Sequence, residues 1–400
     1  MDIVDKMAFA RKLLPALRAQ IGKKTIVVLT GMRQVGKTTL MRMLYGEMES
    51  KNKAFLDMEN PIVRKAFGEK DYDSIWENLK VYGITKTEKA YLFLDEIQTA
   101  PECIKAVKYL FDHYDVQFFV TGSASFYLKG LFPESLAGRK ILYELYPLDF
   151  EEFLWFCNRK KEFAAGFASK MEGKNEVAYA REIRLYEEYL KYGGFPKVAL
   201  AQSIPDKEAA LEDIFRSYFE KDVKTLADFR DIRKLQDFIM LLLRRCGSKL
   251  DISKISSETG ISRESLYAYL AFLEATYFVH LVPPFSKSPD REVSGAKKVY
   301  ACDSGILNRF AQVSSGAVFE NAVFLALARR SEVKYYQRRS GLEIDFVLPK
   351  EAAALEVKET ATERDVERTA RVSKEIGLKE SYVVSKSYSA QKGVLLATDL

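Results

Sequence analysis

Short apolar, β-branched runs alternate with helix-spaced segments through the first 150 positions. Thr25–Thr30 (TIVVLT) ends at Gly31, and a helix-like stretch follows over Lys37–Glu49. KAFLDME, YLFLDEI and VQFFVTGS are further short apolar runs, each ending in polar or glycine residues with helical patterns between them. Strands alternating with helices predict a parallel sheet covered on both faces. The first twenty residues, MDIVDKMAFARKLLPALRAQ, carry two acids before the first base and no continuous apolar core. They read as an amphipathic helix and not as a signal peptide.

From about Glu151 to Arg230 the pattern turns helical and aromatic, broken by the turn Gly193-Gly194-Phe195-Pro196. Several short helices and then a strand are expected from Asp231 to Pro284, with a loop over Pro283–Gly295. The last hundred residues return to mixed α/β. A helix is expected over Val318–Arg330, with strands at Lys334–Gln337, Glu343–Leu348 and Ala354–Lys358. A further helix and the strand SYVVS follow, and the tail after Lys386 is expected to fray. The fold class is therefore α/β: a P-loop-type parallel sheet, a helical and helix–turn–helix segment, and a small α/β domain. The expected boundaries are 1–150, 151–230, 231–300 and 301–400. No internal repeat or low-complexity stretch interrupts this pattern.

Composition narrows the class. Hydrophobic residues make up 48% of the 400 and charged residues 30%, enough for sizeable cores and incompatible with global disorder. Cys103, Cys157, Cys246 and Cys302 are scattered without a CxxC pair, and His113 and His280 are the only histidines. That argues against a disulfide scaffold and a Cys/His zinc site, and makes a reducing cytoplasm the expected compartment. No apolar run reaches the roughly 18 residues that a membrane span requires. The net charge of +6 permits an acidic partner such as nucleic acid without demanding one.

Residues 31–38 read Gly31-Met32-Arg33-Gln34-Val35-Gly36-Lys37-Thr38, followed by Thr39. This is GxxxxGKT between a predicted strand and a predicted helix, the context that gives the motif its meaning. Glycines let backbone N–H groups curl around a phosphate, and the helix N-terminus adds partial positive charge. Lys37 can reach the β- and γ-phosphates, and the Thr38 hydroxyl can ligate Mg²⁺. The strand Tyr91–Glu96 (YLFLDE) ends in two acids. Asp95 would hold the Mg²⁺ shell, and Glu96 would polarise the attacking water. A third strand ends at Thr121, Gly122 and Ser123, where a γ-phosphate sensor commonly sits.

The ordered set GMRQVGKT, LFLDEIQ, VTGSAS, the LAGR of Leu136–Arg139 followed by YPLDFEEF, and GGFP at 193–196 resembles the AAA-type P-loop ATPases of bacteria and archaea that carry a C-terminal domain of unknown function. The resemblance spans nearly the whole chain. It implies ATP and Mg²⁺ as the ligands, and no NKxD-type guanine motif opposes it. It also makes Arg139 a candidate for stabilising γ-phosphate charge, in cis or across a subunit interface, with a surface arginine ending a turn as the competing reading. Pro196 in the GGFP turn becomes a candidate contact near the adenine, with a tight turn between helices as the competing reading.

Asp251–Phe285 fits a helix–turn–helix followed by a strand, with KKVYACD as the strand's partner: a winged-helix-like pattern. Ser262 is the expected N-cap of the second helix. That helix carries Arg263, Glu264 and Glu274, a net charge of −1, which argues against a phosphate-binding face. Arg244, Arg245 and Lys249 compensate in part, so DNA and a protein partner remain alternative ligands. Tyr267 and Tyr269 are expected to pack in the core.

Near the C-terminus, Glu320 lies on an apolar helix, Asp345 within a strand, and Glu356 and Lys358 two apart on the next strand, pointing to one face. The set resembles the restriction-endonuclease-like PD-(D/E)xK core, in which carboxylates hold Mg²⁺ and a lysine steadies developing charge. Ile344 stands where that motif has proline. Arg329, Arg330, Lys334, Tyr335, Tyr336, Arg338 and Arg339 would supply basic charge with interleaved aromatics, as strand-binding surfaces do. The expected function is an ATPase that couples nucleotide state to a nuclease-like, nucleic-acid-binding module, with DNA favoured over RNA. The alternative is a nucleotide-controlled switch that binds a protein partner and cuts nothing. Oligomeric state stays open.

Overall fold

A computed structural model describes residues 10–123, 138–224, 231–286, 288–338 and 340–400. The chain forms two compact units, residues 1–146 with 275–277 and residues 147–274 with 278–400.

The first unit is built on five strands: β1 (Ile26–Thr30), β2 (Lys53–Asp57), β3 (Ala90–Asp95), β4 (Val116–Gly122) and β5 (Lys140–Glu144). Their order is β2-β3-β4-β1-β5, and every neighbouring pair is parallel. Every residue of β1 and β4 is buried, as a parallel sheet with both faces covered requires. This is why those strands read as unbroken apolar runs. The amphipathic helix Cys103–His113 buries Val107 and Leu110 against Ile26, Leu92, Phe118 and Val120 of the sheet. Strand β5 was not legible in the sequence. It is an edge strand in which no residue is fully buried, with a lysine and a glutamate at its ends.

The second unit begins with helices Phe150–Phe156, Phe167–Glu172, Glu176–Tyr192, Pro196–Leu200 and Ile204–Ser217. Helix Phe150–Phe156 starts with a capping box in which Asp149 and Glu152 each bond the other's backbone N–H. Helices Ile232–Arg244, Ile252–Thr259 and Arg263–Ala275 follow. Next comes an antiparallel ribbon of β6 (Val279–Val282) and β7 (Lys298–Ala301), with Val279 opposite Ala301. The C-terminal sheet contains β8 (Lys334–Gln337), β9 (Glu343–Leu348), β10 (Ala353–Lys358), β11 (Glu380–Ser385) and β12 (Val394–Leu396). Its order is β12-β11-β10-β9-β8, antiparallel from β8 to β10 and parallel from β10 to β12. Helix Glu363–Ile376 connects β10 to β11 and packs Val372 and Ile376 on Ile344, Val347 and Ala354.

The tail after Lys386 does not fray. Val394–Leu396 forms strand β12, and three lysines and a tyrosine hold the surrounding backbone. The Lys174 ammonium donates to the carbonyls of Ser389 (3.2 Å) and Gln391 (2.5 Å), and Lys161 donates to Thr398 O (3.0 Å). Lys170 donates to Asp399 O and the Tyr179 hydroxyl to Lys386 O. No described helix is long and apolar enough to cross a membrane.

The Gly193-Gly194 turn is explained inside this unit. Asp303 is fully buried and accepts from the N–H groups of Gly194 (2.7 Å), Gly305 (2.8 Å) and Ile306 (3.1 Å). A Cβ on Gly193 would stand 2.0 Å from the Asp303 carboxylate, and one on Gly305 would stand 2.1 Å from the Tyr192 carbonyl oxygen. Asp303 thus caps helix Ser304–Ala311 and clamps it to the end of helix Glu176–Tyr192. Pro196 opens the next short helix, as a proline at a first helical position does.

Candidate functional site

The phosphate loop leaves β1 at Gly31 and enters helix Lys37–Glu47. Gly31 has φ +147° and lies so close to Leu145 that a Cβ would stand 2.1 Å from its carbonyl oxygen. Gly36 caps the helix in the left-handed region, φ 97°. Both positions need glycine for backbone reasons alone. Met32 and Val35 are buried and anchor the loop from below, while Arg33 and Gln34 are half-buried. Gln34 takes φ 62°. The Lys37 ammonium donates to the carbonyls of Gly31 (2.9 Å) and Met32 (3.0 Å), so it sits against the loop at the helix N-terminus. Thr39, one residue beyond Thr38, is exposed.

The two carboxylates at the end of β3 meet this loop because of the strand order. Strand β4 lies between β1 and β3, and the register aligns Thr121 with Leu29 on one side and, one step past Leu94–Val120, with Asp95 on the other. Asp95 Oδ1 accepts from the Thr38 hydroxyl (3.1 Å) and from the Thr121 hydroxyl. Burial pushes the Asp95 carboxyl above its usual range, against those two hydrogen bonds, which pull it down. The Thr121 hydroxyl in turn accepts from the Glu96 N–H (3.0 Å). A hydroxyl and a carboxylate oxygen are the hard donors that Mg²⁺ prefers, so Thr38 and Asp95 fit an ATP–Mg²⁺ complex. Ser123, at the end of β4, is buried and accepts from Gln98 Nε2 (3.1 Å).

Sequence reasoning missed one brace of this site. Arg11, only 5% exposed, donates to Val35 O (2.7 Å) in the phosphate loop and to Tyr146 O (2.6 Å). No local motif marks it, because its partners lie 24 and 135 positions away.

Arg139 is not placed to serve its own site. The register sets Lys140 beside Ile26, at the end of β1 opposite the phosphate loop, and Arg139 O accepts from Ile26 N–H (2.8 Å). At about 3.3 Å per residue, Ile26 and Thr30 are roughly 13 Å apart. The guanidinium pairs with Asp112 (3.2 Å). The in-cis expectation is therefore corrected; action across a subunit interface and a surface arginine ending a turn are the readings left. Leu136 and Ala137 of the same motif lie outside the described residues.

The C-terminal sheet brings the second expected set together. Strands β9 and β10 form a hairpin in which Phe346 faces Leu355, so Asp345 comes level with Glu356. Asp345 Oδ2 accepts from the Val357 N–H (2.8 Å). Each acid here has a basic or polar partner. Lys298, from β7, is buried and pairs with Glu343 and, at 3.7 Å, with Glu320, while the Tyr300 hydroxyl donates to Glu320 (2.7 Å). Lys358 (2.8 Å) and Arg368 both pair with Glu356. Burial, reinforced by the Asp345 charge, pushes the Glu320 carboxyl up to about 7; burial also raises Asp345 and Glu356. No group of three acidic, histidine or cysteine side chains among the described residues is placed to hold a metal ion. As arranged, Glu320 and Glu356 are ion-paired, and Asp345 is held by the Val357 N–H.

The expected basic surface is largely neutralised. Arg329 pairs with Asp149 (3.5 Å) and Glu152 (3.8 Å), Lys334 with Glu292 (2.5 Å) and Arg338 with Glu375 (2.5 Å). Tyr335 is buried, with its hydroxyl bonded to Ala296 O (2.5 Å). Arg330 is exposed, and Arg339 lies outside the described residues. Beside Tyr335, a cavity of about 680 Å³ is lined by Lys249, Phe285, Tyr336, Arg338 and Glu375, among others. In the helix–turn–helix, Gly260 ends the first helix at φ 65°, and the Ser262 hydroxyl accepts from Ser265 N–H (3.2 Å). Tyr269 is buried as expected, but Tyr267 is 60% exposed.

Comparison with known proteins gives matches along most of the chain. Residues 23–154 match the family described as AAA domain. Residues 183–317 and 315–395 match two families described as domains of unknown function (DUF8612 and DUF4143). The uncharacterized protein MJ1544 of Methanocaldococcus jannaschii is 28% identical over 398 residues, covering 94% of this chain and 86% of its own length. An uncharacterized protein of Haemophilus influenzae is 28% identical over 361 residues, covering 85% of each chain. Among solved structures, Aeropyrum pernix ORC1 in complex with DNA aligns with a TM-score of 0.33 and 14% identity, over 82% of this chain and 92% of its own. A mutant of Thermotoga maritima RuvB aligns with a TM-score of 0.32 and 18% identity, over 68% and 87%. The five-stranded parallel sheet, its phosphate loop and the AAA-domain match together make the N-terminal part of this chain an AAA-type P-loop NTPase fold, followed by helical and further α/β regions.

Proposed function

We propose that the protein binds ATP with Mg²⁺ and hydrolyses it. The observation that carries this reading is the hydrogen-bond chain Thr38–Asp95–Thr121, which joins the phosphate loop, the acidic strand end and the strand between them. Lys37 would leave the loop carbonyls for the β- and γ-phosphate oxygens, and the N–H groups of residues 33–38 would donate to the phosphates. Thr38 and Asp95 would hold Mg²⁺, which when bound would neutralise charge developing on the phosphates. Glu96 accepts the proton of the attacking water. The water oxygen bonds to the γ-phosphorus, the bond from that phosphorus to the β,γ-bridging oxygen breaks, and ADP and phosphate leave. Arg139 is assigned to a neighbouring subunit's γ-phosphate. The test is ATP binding and phosphate release by the wild type and by Asp95→Asn, which keeps the shape of Asp95 but removes its charge. Loss of Mg²⁺-dependent turnover supports the site, and unchanged turnover removes it.

For the second unit we propose a binding module that cuts nothing. Its support is the ion-paired state of Glu320, Glu343 and Glu356, which bond Lys298, Lys358 and Arg368. Nucleic acid remains the proposed ligand class, with a protein partner at the helix–turn–helix as the alternative. Strong salt dependence of DNA affinity would favour nucleic acid.

A further inference from the structure

Gln98 stands two residues beyond Glu96, inside a short 3₁₀ turn formed by Ile97–Thr99. The turn is fixed at both ends. Glu96 takes φ 54° and ψ 46°, so the chain swings off β3 at this residue. Its N–H is held by the Thr121 hydroxyl, and its carbonyl accepts from Thr99 N–H (3.0 Å) and from the Thr99 hydroxyl (2.8 Å). A non-glycine residue in the left-handed region is strained, and such strain concentrates at functional sites. Here it aims the Glu96 and Gln98 side chains at one another.

Gln98 is 8% exposed, and its amide nitrogen donates to Glu96 Oε2 and to Ser123 Oγ (3.1 Å). The direction is fixed by chemistry: a carboxylate only accepts, so the nitrogen faces it, and the opposite orientation would set two acceptors together. The amide oxygen is then buried with no hydrogen-bond partner among the described residues. A buried carbonyl in that condition is costly. It sits on the same side chain that holds the proton acceptor, and it can accept one hydrogen of a water molecule whose other proton Glu96 takes.

We infer that Gln98 is a positioning residue for ATP hydrolysis: it locks Glu96 and Ser123 into one hydrogen-bonded unit and offers its own carbonyl oxygen to the attacking water. The inference rests on the ATPase reading above. It assigns to the sequence LDEIQ a role for its glutamine, which spacing alone did not suggest. It also gives the Ser123 hydroxyl a task that does not require it to touch phosphate: it shares the Gln98 amide with Glu96.

The experiment compares wild type, Gln98→Ala, Gln98→Glu and Ser123→Ala. It reads affinity for a fluorescent ATP analogue, steady-state phosphate release and melting temperature. Gln98→Glu keeps the size of the side chain but replaces the donor with an acceptor facing Glu96. Gln98→Ala and Gln98→Glu are each expected to lower kcat about 100-fold, the cost of misplacing a reacting group by an ångström, with nucleotide affinity within about twofold of wild type. Ser123→Ala, which removes one of two acceptors, should lower kcat about tenfold or less. A purely structural role would move affinity and melting temperature with kcat, and that pattern overturns the inference. So does a kcat within threefold of an active wild type in Gln98→Glu, roughly 0.6 kcal/mol. A wild type that binds the analogue but releases no phosphate overturns the ATPase reading, and the inference with it.

Discussion

Replacing Arg11 by alanine removes two charge-assisted hydrogen bonds that hold the phosphate loop and the chain beyond β5 at once, Val35 O at 2.7 Å and Tyr146 O at 2.6 Å. Hydrogen bonds to a charged donor contribute about 1.5–3 kcal/mol each, and a buried carbonyl left without its donor pays its desolvation in full. Arg11 is 5% exposed, so screening by solvent gives little relief. The smaller side chain admits some water to the two carbonyls, which places the expected loss near the low end, about 3 kcal/mol. For a unit of this size that is a drop in melting temperature of roughly 6–12 °C. The assay is thermal unfolding of the full chain followed by fluorescence, with and without ATP–Mg²⁺. A loop that has lost its brace also binds nucleotide more weakly, so the ATP-induced rise in melting temperature should shrink in the variant. Arg11→Lys keeps one donor and the charge and should fall between the two. A melting temperature within about 2 °C of wild type, with an undiminished ATP-induced rise, refutes the reasoning.

Other outcomes follow from the same geometry. Glu320 is raised to about 7 by burial, so its proton is bound more tightly in the folded chain than in the unfolded one. That stability is present below the unfolded value and lost as pH rises through 7, about 2 kcal/mol between pH 5.5 and pH 8. Asp303, raised to about 6 by burial, acts in the same direction. Melting of the second unit should therefore be higher at pH 5.5 than at pH 8, and Glu320→Gln should flatten the slope; a wild-type slope of opposite sign contradicts the assignment. Gly305→Ala would place a methyl 2.1 Å from the Tyr192 carbonyl oxygen and should abolish stable folding of the second unit, read as loss of its melting transition. Incubation of labelled DNA and RNA with Mg²⁺ or Mn²⁺ should give no cleavage. Cleavage lost in both Asp345→Ala and Lys358→Ala would make the ion-paired network a working nuclease. If Arg139 serves a neighbouring subunit, turnover per molecule should rise with protein concentration, and a flat profile removes that role.

The phosphate loop was legible because its chemistry is local: two glycines, a lysine and a threonine within eight positions, between a strand and a helix. The acidic end of β3 was legible for the same reason. Their meeting was not, since it depends on β4 inserting between β1 and β3 and on Thr121 reaching Asp95. The hairpin of β9 and β10 was readable from alternation and a short turn, yet the cations that fill it, Lys298 and Arg368, come from β7 and from helix Glu363–Ile376. The basic run at 329–338 looked like a binding surface because its acids, Asp149, Glu152, Glu292 and Glu375, are distant in sequence or lie on other elements. The tail looked free because Lys161, Lys170, Lys174 and Tyr179, which hold it, lie more than 200 positions earlier. Local periodicity carries elements and motifs; long-range pairing decides which charges are available.

The central claim is ATP hydrolysis at the site formed by Lys37, Thr38, Asp95 and Glu96. The most direct measurement is Mg²⁺-dependent phosphate release from ATP by the purified chain beside Lys37→Ala and Glu96→Gln, with nucleotide binding measured on the same samples. The account predicts turnover by the wild type, no binding and no turnover by Lys37→Ala, and binding with turnover reduced at least about 100-fold in Glu96→Gln. Turnover by Glu96→Gln equal to that of wild type, or none by a wild type that binds ATP, would contradict it.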